Sequence, residues 1–309
     1  MKQIAIFIAS LVLTACISSE EAGTAIPTDK LAEIQARGTL VIATDASYAP
    51  QSDLIEGSQP RPGTKCEPTQ YSSNQFKGFD VDVALELARQ LGVEPCFVTP
   101  PWSQLVAGSW GDNWDIHVGS VAITFDRMKD LYFSTPYYAT PTIVLVHQDN
   151  TTYLHPEDLS GKKIAACVAC TFESYLNGTL KMPGQEIIYR IKDATIIAYE
   201  NEDPAIEDLA RGDGVVLDAV MTILPKARAA IAAGKPVKIL DEPLVFAYAS
   251  ITLDRSSRRS NERLWLEINR ILRELHSSGT LAELSIQYQG MDLTQEAAGY
   301  DISALNQFP

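Results

Sequence analysis

The sequence predicts an α/β protein of two lobes built on open sheets. Three observations carry this. Short β-branched runs alternate with amphipathic helical stretches. The alternation runs once, restarts near residue 160, and ends in helices that belong with the first part. The chain has 309 residues, enough for two lobes of ordinary domain size.

The first residues stand apart from the fold. Lys2 precedes an apolar run over 4–9 and 11–13, too short to span a bilayer and placed like the apolar region of a signal peptide. The run ends in Leu13-Thr14-Ala15-Cys16, which resembles the bacterial lipobox. Residues 1–15 are then expected to be a lipoprotein signal peptide, and Cys16 the lipidation site at the start of the mature chain. Residues 16–38 are expected to be a tether, because the stretch 17–30 is polar, small and aperiodic.

The elements follow in order. Leu40-Val41-Ile42-Ala43-Thr44 reads as a buried strand that ends in turn-prone Asp45-Ala46-Ser47. Residues 50–75 hold Pro50, Pro60, Pro62, Gly63 and Pro68 and read as a long irregular loop. Asp80 is expected to cap a helix through Gln90, with Val83, Leu87 and Leu91 at four-residue spacing and Gly92 as its stop. Cys96-Phe97-Val98 and Asp115-Ile116-His117-Val118 read as the second and third strands, and Ile143-Val144-Leu145-Val146 as a strand leaving the first lobe. Lys163-Ile164-Ala165-Ala166 restarts the pattern, followed by a helix over 171–177. Strands are expected at Ile187-Ile188 and Ile196-Ile197-Ala198-Tyr199, a helix over 204–210, and a strand through Val215-Val216-Leu217 and Ala219-Val220. Val237-Lys238-Ile239-Leu240 precedes a crossing back near Phe246-Ala247-Tyr248. The last long helix carries Leu264, Ile268, Ile271 and Leu275 on one stripe, and Thr280-Leu281-Ala282-Glu283 reads as a capping box that opens another. Ligands in open α/β sheets sit beyond the carboxyl ends of the strands, which directs attention to the turns after residues 44, 118 and 166.

Composition removes some functions. A net charge of −14 disfavours nucleic acid as a partner, since phosphate binding needs basic patches. Setting Cys16 aside leaves four of the five cysteines. An even remainder in an exported chain favours disulfides, with Cys66 able to pair with Cys96 and Cys167 with Cys170; free thiols and a zinc site are the alternatives. The four histidines, at 117, 147, 155 and 276, are scattered, and no metal site or cofactor is expected. There is no Ser-His-Asp order and no phosphate-binding loop, so the reading is of a protein that is not an enzyme.

A family resemblance rests on several stretches taken in order. These are Thr44-Asp45-Ala46-Ser47-Tyr48-Ala49-Pro50, Gly78-Phe79-Asp80-Val81-Asp82-Val83-Ala84, Trp114-Asp115-Ile116, Ile123-Thr124 with Asp126-Arg127, Phe133-Ser134-Thr135-Pro136-Tyr137-Tyr138, Asp158-Leu159-Ser160-Gly161-Lys162-Lys163, and Ser278-Gly279-Thr280-Leu281. From about residue 38 to about residue 290 the chain resembles the family 3 bacterial extracellular solute-binding proteins, the polar amino-acid receptors of ABC importers. The resemblance implies a two-lobed periplasmic-binding-protein fold, a Venus flytrap of two open mixed sheets joined by two hinge strands. Lobe 1 would comprise 39–141 and 247–309, and lobe 2 residues 142–246. It also implies amino-acid transport: a monomer, lipid-anchored outside the cytoplasm, that delivers a small carboxylate ligand to an ABC importer permease.

The resemblance implies a site as well. Arg127 would grip the ligand's carboxylate through parallel hydrogen bonds; the other reading is a surface arginine paired with Asp126 or Asp130. Thr171, at a helix opening, would meet the same carboxylate from the second lobe, with Cys170 beside it where the family often has Ser or Thr. A disulfide between Cys167 and Cys170 would stiffen this loop; a thioredoxin-like redox role is the alternative. Tyr48 and Trp102 would sandwich the ligand's side chain, or else pack in the core. Asp45 would meet the ligand's far end, or else form a turn. Gly119, Ser120 and Ala122 would offer main-chain groups from the loop after the third strand, although Ala122 lacks the family's hydroxyl. The family usually has an Asp five residues after the position of Asp218, to neutralise the ligand's α-ammonium; here it is Ile223. Asp45, Glu200 or Asp203 would have to replace it, or the ligand is not an ordinary α-amino acid. A dehydratase on the same scaffold and a ligand sensor for a signalling partner are the rival functions.

Overall fold

The computed structural model describes residues 28–301, 305 and 308. The expected signal peptide and Cys16 lie outside the described residues. The first lobe opens with helix α1 (Lys30–Arg37), capped by the Asp29 carboxylate, which accepts from the Ala32 N–H at 2.9 Å. Leu31 and Ile34 of α1 pack into the first lobe's core. The tether expected over 16–38 is thus corrected at its end, where the chain is already folded from Lys30. A single apolar pair three residues apart is too short a repeat to show a helical period.

Strand β1 (Thr39–Ala43) is buried along its whole length. Within the expected loop 50–75 the chain forms short strands, so a small sheet joins β2 (Ser47–Tyr48), β3 (Ser52–Leu54) and, beyond β4 (Tyr71–Ser72), β5 (Phe76–Lys77). A disulfide ties Cys66 of this excursion to Cys96. Helix α2 (Phe79–Leu91) ends at left-handed Gly92, as expected. Its cap is Gly78, not Asp80: at φ 134° the chain runs so close to the main chain of Gln51 that a Cβ would lie 2.3 Å from the Gln51 carbonyl oxygen. Asp80 is instead the second residue of the helix and fully buried. The lobe continues through β6 (Glu94–Val98), α3 (Trp102–Ala107), β7 (Ile116–Ala122) and β8 (Leu131–Phe133). Gly119, Ser120 and Ala122 therefore lie on β7 itself and not on a loop after it.

Strand β9 (Tyr138–His147) leaves the first lobe. The second lobe is made of β10 (Lys163–Cys167), α4 (Thr171–Leu176), β11 (Thr195–Tyr199), α5 (Glu202–Leu209), β12 (Ala219–Ile223) and α6 (Leu224–Ala232). No strand forms at Ile187-Ile188, where Ile188 is 68% exposed, nor at Val215-Val216-Leu217, where Val215 is 66% exposed; Ile187, Val216 and Leu217 pack into the second lobe's cores without pairing in a ladder. The long strand β13 (Val237–Asp254) brings the chain back, antiparallel to β9 from the Val237–His147 pair to the Ala249–Tyr138 pair. Helices α7 (Glu262–Ser277), α8 (Thr280–Gln289) and α9 (Gln295–Ala298) complete the first lobe. The cap of α8 is left-handed Gly279 and Thr280 is already helical, so the expected capping box does not form.

The architecture is the two-lobed α/β fold the sequence predicts. Because β9 also pairs with β12, and β13 with β7 and β8, the two open sheets join into one ten-stranded ladder, in the order β11-β10-β12-β9-β13-β7-β1-β6-β4 with β8 beside β13. The cores stay separate. Leu87, Ile116, Ile251, Ile268 and Leu272 share one cluster, and Val144, Ile164, Tyr175, Met221 and Leu240 share another. The lobes touch across the cleft through the Phe125 N–H, which donates to the Lys181 carbonyl at 3.1 Å, and the Tyr300 hydroxyl, which donates to the Pro183 carbonyl at 3.0 Å. The two lobes are thus in direct contact beside the cleft.

Two outcomes test this packing. The crosslink from Cys66 to Cys96 spans 30 residues. Replacing both cysteines with serine is expected to cost about 3 kcal/mol of stability, read as a lower urea midpoint. A Cβ at Gly119 would come within 2.4 Å of the His117 ring, which is itself fully buried against Trp102. Gly119→Ala is therefore expected to destabilise by about 1–3 kcal/mol, read as a lower melting temperature with altered tryptophan fluorescence.

Candidate functional site

A cavity lies between the lobes where β1, β7, β10 and β11 end. The carboxyl ends of parallel strands leave main-chain groups and loop side chains facing the same crevice. All nine residues expected at the site line this cavity: Asp45, Tyr48, Trp102, Gly119, Ser120, Ala122, Arg127, Cys170 and Thr171.

Arg127 starts a short 3-10 turn after β7 and is only 8% exposed. Its Nη1 donates to the Ala122 carbonyl and its Nη2 to the Ala169 carbonyl, each at 3.1 Å, so one guanidinium touches both lobes. The guanidinium lies 5.3 Å from the Trp102 ring centre. The alternative of an arginine paired with its acidic neighbours is not realised: Asp126 binds Lys129, and among the described residues no carboxylate lies within salt-bridge distance of Arg127. Burial lowers the Arg127 pKa to about 10. The group remains a cation at neutral pH, with N–H donors to spare.

The wall of β7 is held by a hydrogen-bonded network behind it. Ser120 takes a left-handed backbone at φ 57°. Its Oγ donates to Asp80 at 2.7 Å and accepts from the Tyr138 hydroxyl at 2.7 Å. The Tyr137 hydroxyl accepts from the Ser120 N–H at 2.9 Å and donates to Asp80 at 2.8 Å. Burial raises the Asp80 carboxyl to about 6, against the pull of these two hydroxyls. Four groups thus fix one unusual backbone conformation on the cavity surface.

The other expected residues fall as follows. Asp45 both forms its turn, accepting from the Ser47 N–H at 2.8 Å, and lines the cavity. Trp102 opens α3 and is half-buried. Cys170 is the extended residue before α4, is bonded to Cys167, and Thr171 is the first residue of that helix. The second lobe adds residues that the sequence reading did not single out as ligand-binding: Phe172, Asn201 and above all Glu202. Glu202 is 5% exposed, and burial raises its carboxyl to about 7, with Lys226 drawing it down and Asp45 pushing it up. Lys226 itself is buried, binds Asp203 at 2.6 Å, and lies 5.5 Å from the Tyr48 ring centre. Asp203 thus holds a lysine and does not line the cavity, whereas Glu200 does. A signal for Glu202 was present: it follows the carboxyl end of the 195–199 strand, as Asp45 follows that of β1. Ile223 presents an apolar side chain to the same cavity.

Known proteins place this geometry in a family. The pattern of the bacterial extracellular solute-binding proteins, family 3, matches residues 63–291. The L-cystine-binding protein TcyJ of Escherichia coli (strain K12) is 25% identical over 270 residues, which is 86% of this chain and 88% of that protein. The probable amino-acid-binding protein YxeM of Bacillus subtilis (strain 168) is 28% identical over 232 residues, 74% of this chain and 82% of the other. Among solved structures, the ancestral amino acid-binding protein AncCDT-1, a precursor of cyclohexadienyl dehydratase, superposes with a TM-score of 0.67 at 27% identity, covering 84% of this chain and 99% of that one. Holo ArgBP from T. maritima gives a TM-score of 0.63 at 26% identity, covering 81% and 97%. With nearly three quarters of its length inside the pattern and its lobes built as theirs are, this chain belongs to the family 3 bacterial extracellular solute-binding proteins.

Proposed function

We propose that this protein is the receptor of an ABC importer and captures a small, polar, amino-acid-like carboxylate by closure of its two lobes. The observation that carries the reading is the Arg127 guanidinium, buried in the cleft and bonded to main-chain carbonyls but, among the described residues, to no carboxylate. Carbonyl oxygens take up hydrogen bonds but not charge, and a buried cation without a counter-ion is costly. A ligand carboxylate would supply that counter-ion, with each charge-assisted hydrogen bond worth roughly 1.5–3 kcal/mol.

The closing motion follows from the same geometry. Tyr48, Trp102, Ser120 and Arg127 come from the first lobe, and Cys170 and Thr171 from the second. The ligand docks on the first set, and closure adds the second, so the ligand stabilises the closed state by the contacts it makes only there. The disulfide between Cys167 and Cys170 holds the loop whose Ala169 carbonyl meets Arg127. The permease then reads the closed shape. Leu13-Thr14-Ala15-Cys16 supports attachment of the receptor to a membrane through a lipid outside the cytoplasm. The relatives named above for L-cystine and for amino acids support an amino acid as the ligand.

One observation favours a second reading. Glu202 puts a proton-exchanging carboxyl near neutral pH in the cleft, as a dehydratase would need, and one structural neighbour is a dehydratase precursor. Incubation with prephenate or arogenate separates the two: a receptor leaves them unchanged, an enzyme releases an aromatic product.

Calorimetry against an amino-acid panel tests the receptor reading. Wild type is expected to bind its best ligand near micromolar, about −8 kcal/mol. Arg127→Ala is expected to abolish that binding while keeping the fold, as judged by circular dichroism; unchanged affinity counts against the assignment.

A further inference from the structure

The cleft carries more acid than the receptor reading uses. Asp45, Glu200 and Glu202 line the cavity against a single guanidinium, Arg127. Glu202 stands out among them. It is 5% exposed, it opens α5, and among the described residues its carboxylate has no ion-pair partner within 4.0 Å. The cation that acts on it, Lys226, is already committed to Asp203 at 2.6 Å. Neither Ile223 nor any other apolar residue of the cavity can offset its charge. The surroundings of Arg127 (Ala122, Ala169 and Trp102) and those of Glu202 (Tyr48, Asp45 and Lys226) share no residue. The cavity wall therefore carries a guanidinium among one set of neighbours and a buried acid among another.

We propose that Glu202, supported by Asp45, is the counter-ion for a positive group of the same ligand whose carboxylate meets Arg127, so that the site accepts zwitterions and cations and turns away dianions. The proposal rests on the receptor reading and deepens it. A buried carboxylate facing a cleft is costly when ionised and is relieved by an arriving cation. Its place at the first turn of α5 favours the ionised form, and so does Lys226. Asp45 and Asp203 oppose ionisation, and Tyr48, Glu200 and Arg127 are further titratable groups of the same cavity wall.

The proton balance gives this a distinct signature. With the lobes together, burial holds the Glu202 carboxyl up at about 7. A bound cation favours the carboxylate and sends its proton to solvent. Protons and ligand then compete, so affinity falls as pH drops below about 7 and levels off above it, by at most about tenfold per pH unit.

The test is calorimetry with L-arginine, L-lysine, L-histidine, L-cystine, L-glutamine and L-glutamate at about pH 6 and about pH 8. The expected result is that L-glutamate binds at least roughly 100-fold more weakly than the best ligand. Glu202→Gln is expected to weaken the best ligand about 10- to 100-fold at the higher pH and to flatten the pH dependence. Wild type in buffers of different ionisation enthalpy is expected to release protons on binding near pH 7, a readout that needs no variant to fold. L-glutamate as the best ligand, Glu202→Gln within about twofold of wild type, or binding without proton release overturns the proposal. Binding that is lost in Arg127→Ala but kept in Glu202→Gln overturns this proposal alone. Failure of wild type to bind any of the six overturns the receptor reading and this proposal with it.

Discussion

The structure depends on one buried guanidinium. Arg127 sits at the junction of two lobes, donates to one carbonyl from each, and lies over the face of Trp102. Its neighbours in the first-lobe wall hold that placement. The 3-10 turn that starts at Arg127 leaves β7 at the point where its last carbonyl, that of Ala122, can accept from the side chain. Asp80, Tyr137 and Tyr138 hold the neighbouring Ser120 in a backbone conformation that non-glycine residues seldom adopt. A cation held this way is desolvated without being neutralised, which is the state in which a small anion gains most from arriving.

The same site explains the division of labour between rigid and mobile parts. Each lobe has its own core, and β9 and β13 pass between them as paired strands with a break in register between Leu240 and Val245. Two paired strands resist stretching but can bend together, so the lobes can rotate without either core being disturbed. Contacts between the lobes include the Phe125 N–H on the Lys181 carbonyl, the Tyr300 hydroxyl on the Pro183 carbonyl, Arg127 on the Ala169 carbonyl, and Tyr48 and Trp102 packed against the second lobe's core. A ligand held in the cleft favours the closed arrangement by the contacts it makes only there. The Cys167–Cys170 disulfide sits at one of these contacts, on the loop that offers its carbonyl to Arg127.

Much of the fold was legible because its signals are local. Buried strands such as Thr39–Ala43 are continuous apolar runs, and the stop of α2 at Gly92 reflects a left-handed conformation that glycine adopts without strain. The failures have local causes too. Ile187-Ile188 and Val215-Val216 have strand-like composition but pair in no ladder, and propensity does not supply a partner. The helix Lys30–Arg37 has too few apolar positions to declare itself, and depends on packing against the first lobe's core. Asp80 reads as a helix cap from its neighbours alone, yet the close pass of Gln51 forces glycine into the cap position and buries Asp80 one step inside.

The sequence by itself determined the two-lobed α/β architecture, the likeness to solute receptors, and the first-lobe wall of the cleft, because strand, turn and motif are written in neighbouring residues. The tertiary structure alone decided which charges meet. It brought Glu202 to the cavity and sent its neighbour Asp203 to Lys226, and it gave Asp126 to Lys129, so that among the described residues Arg127 meets no carboxylate. The reason is physical: adjacent acids are alike in composition and differ only in what burial and a partner from a distant strand or helix do to them, and those distances exist only after the chain has folded.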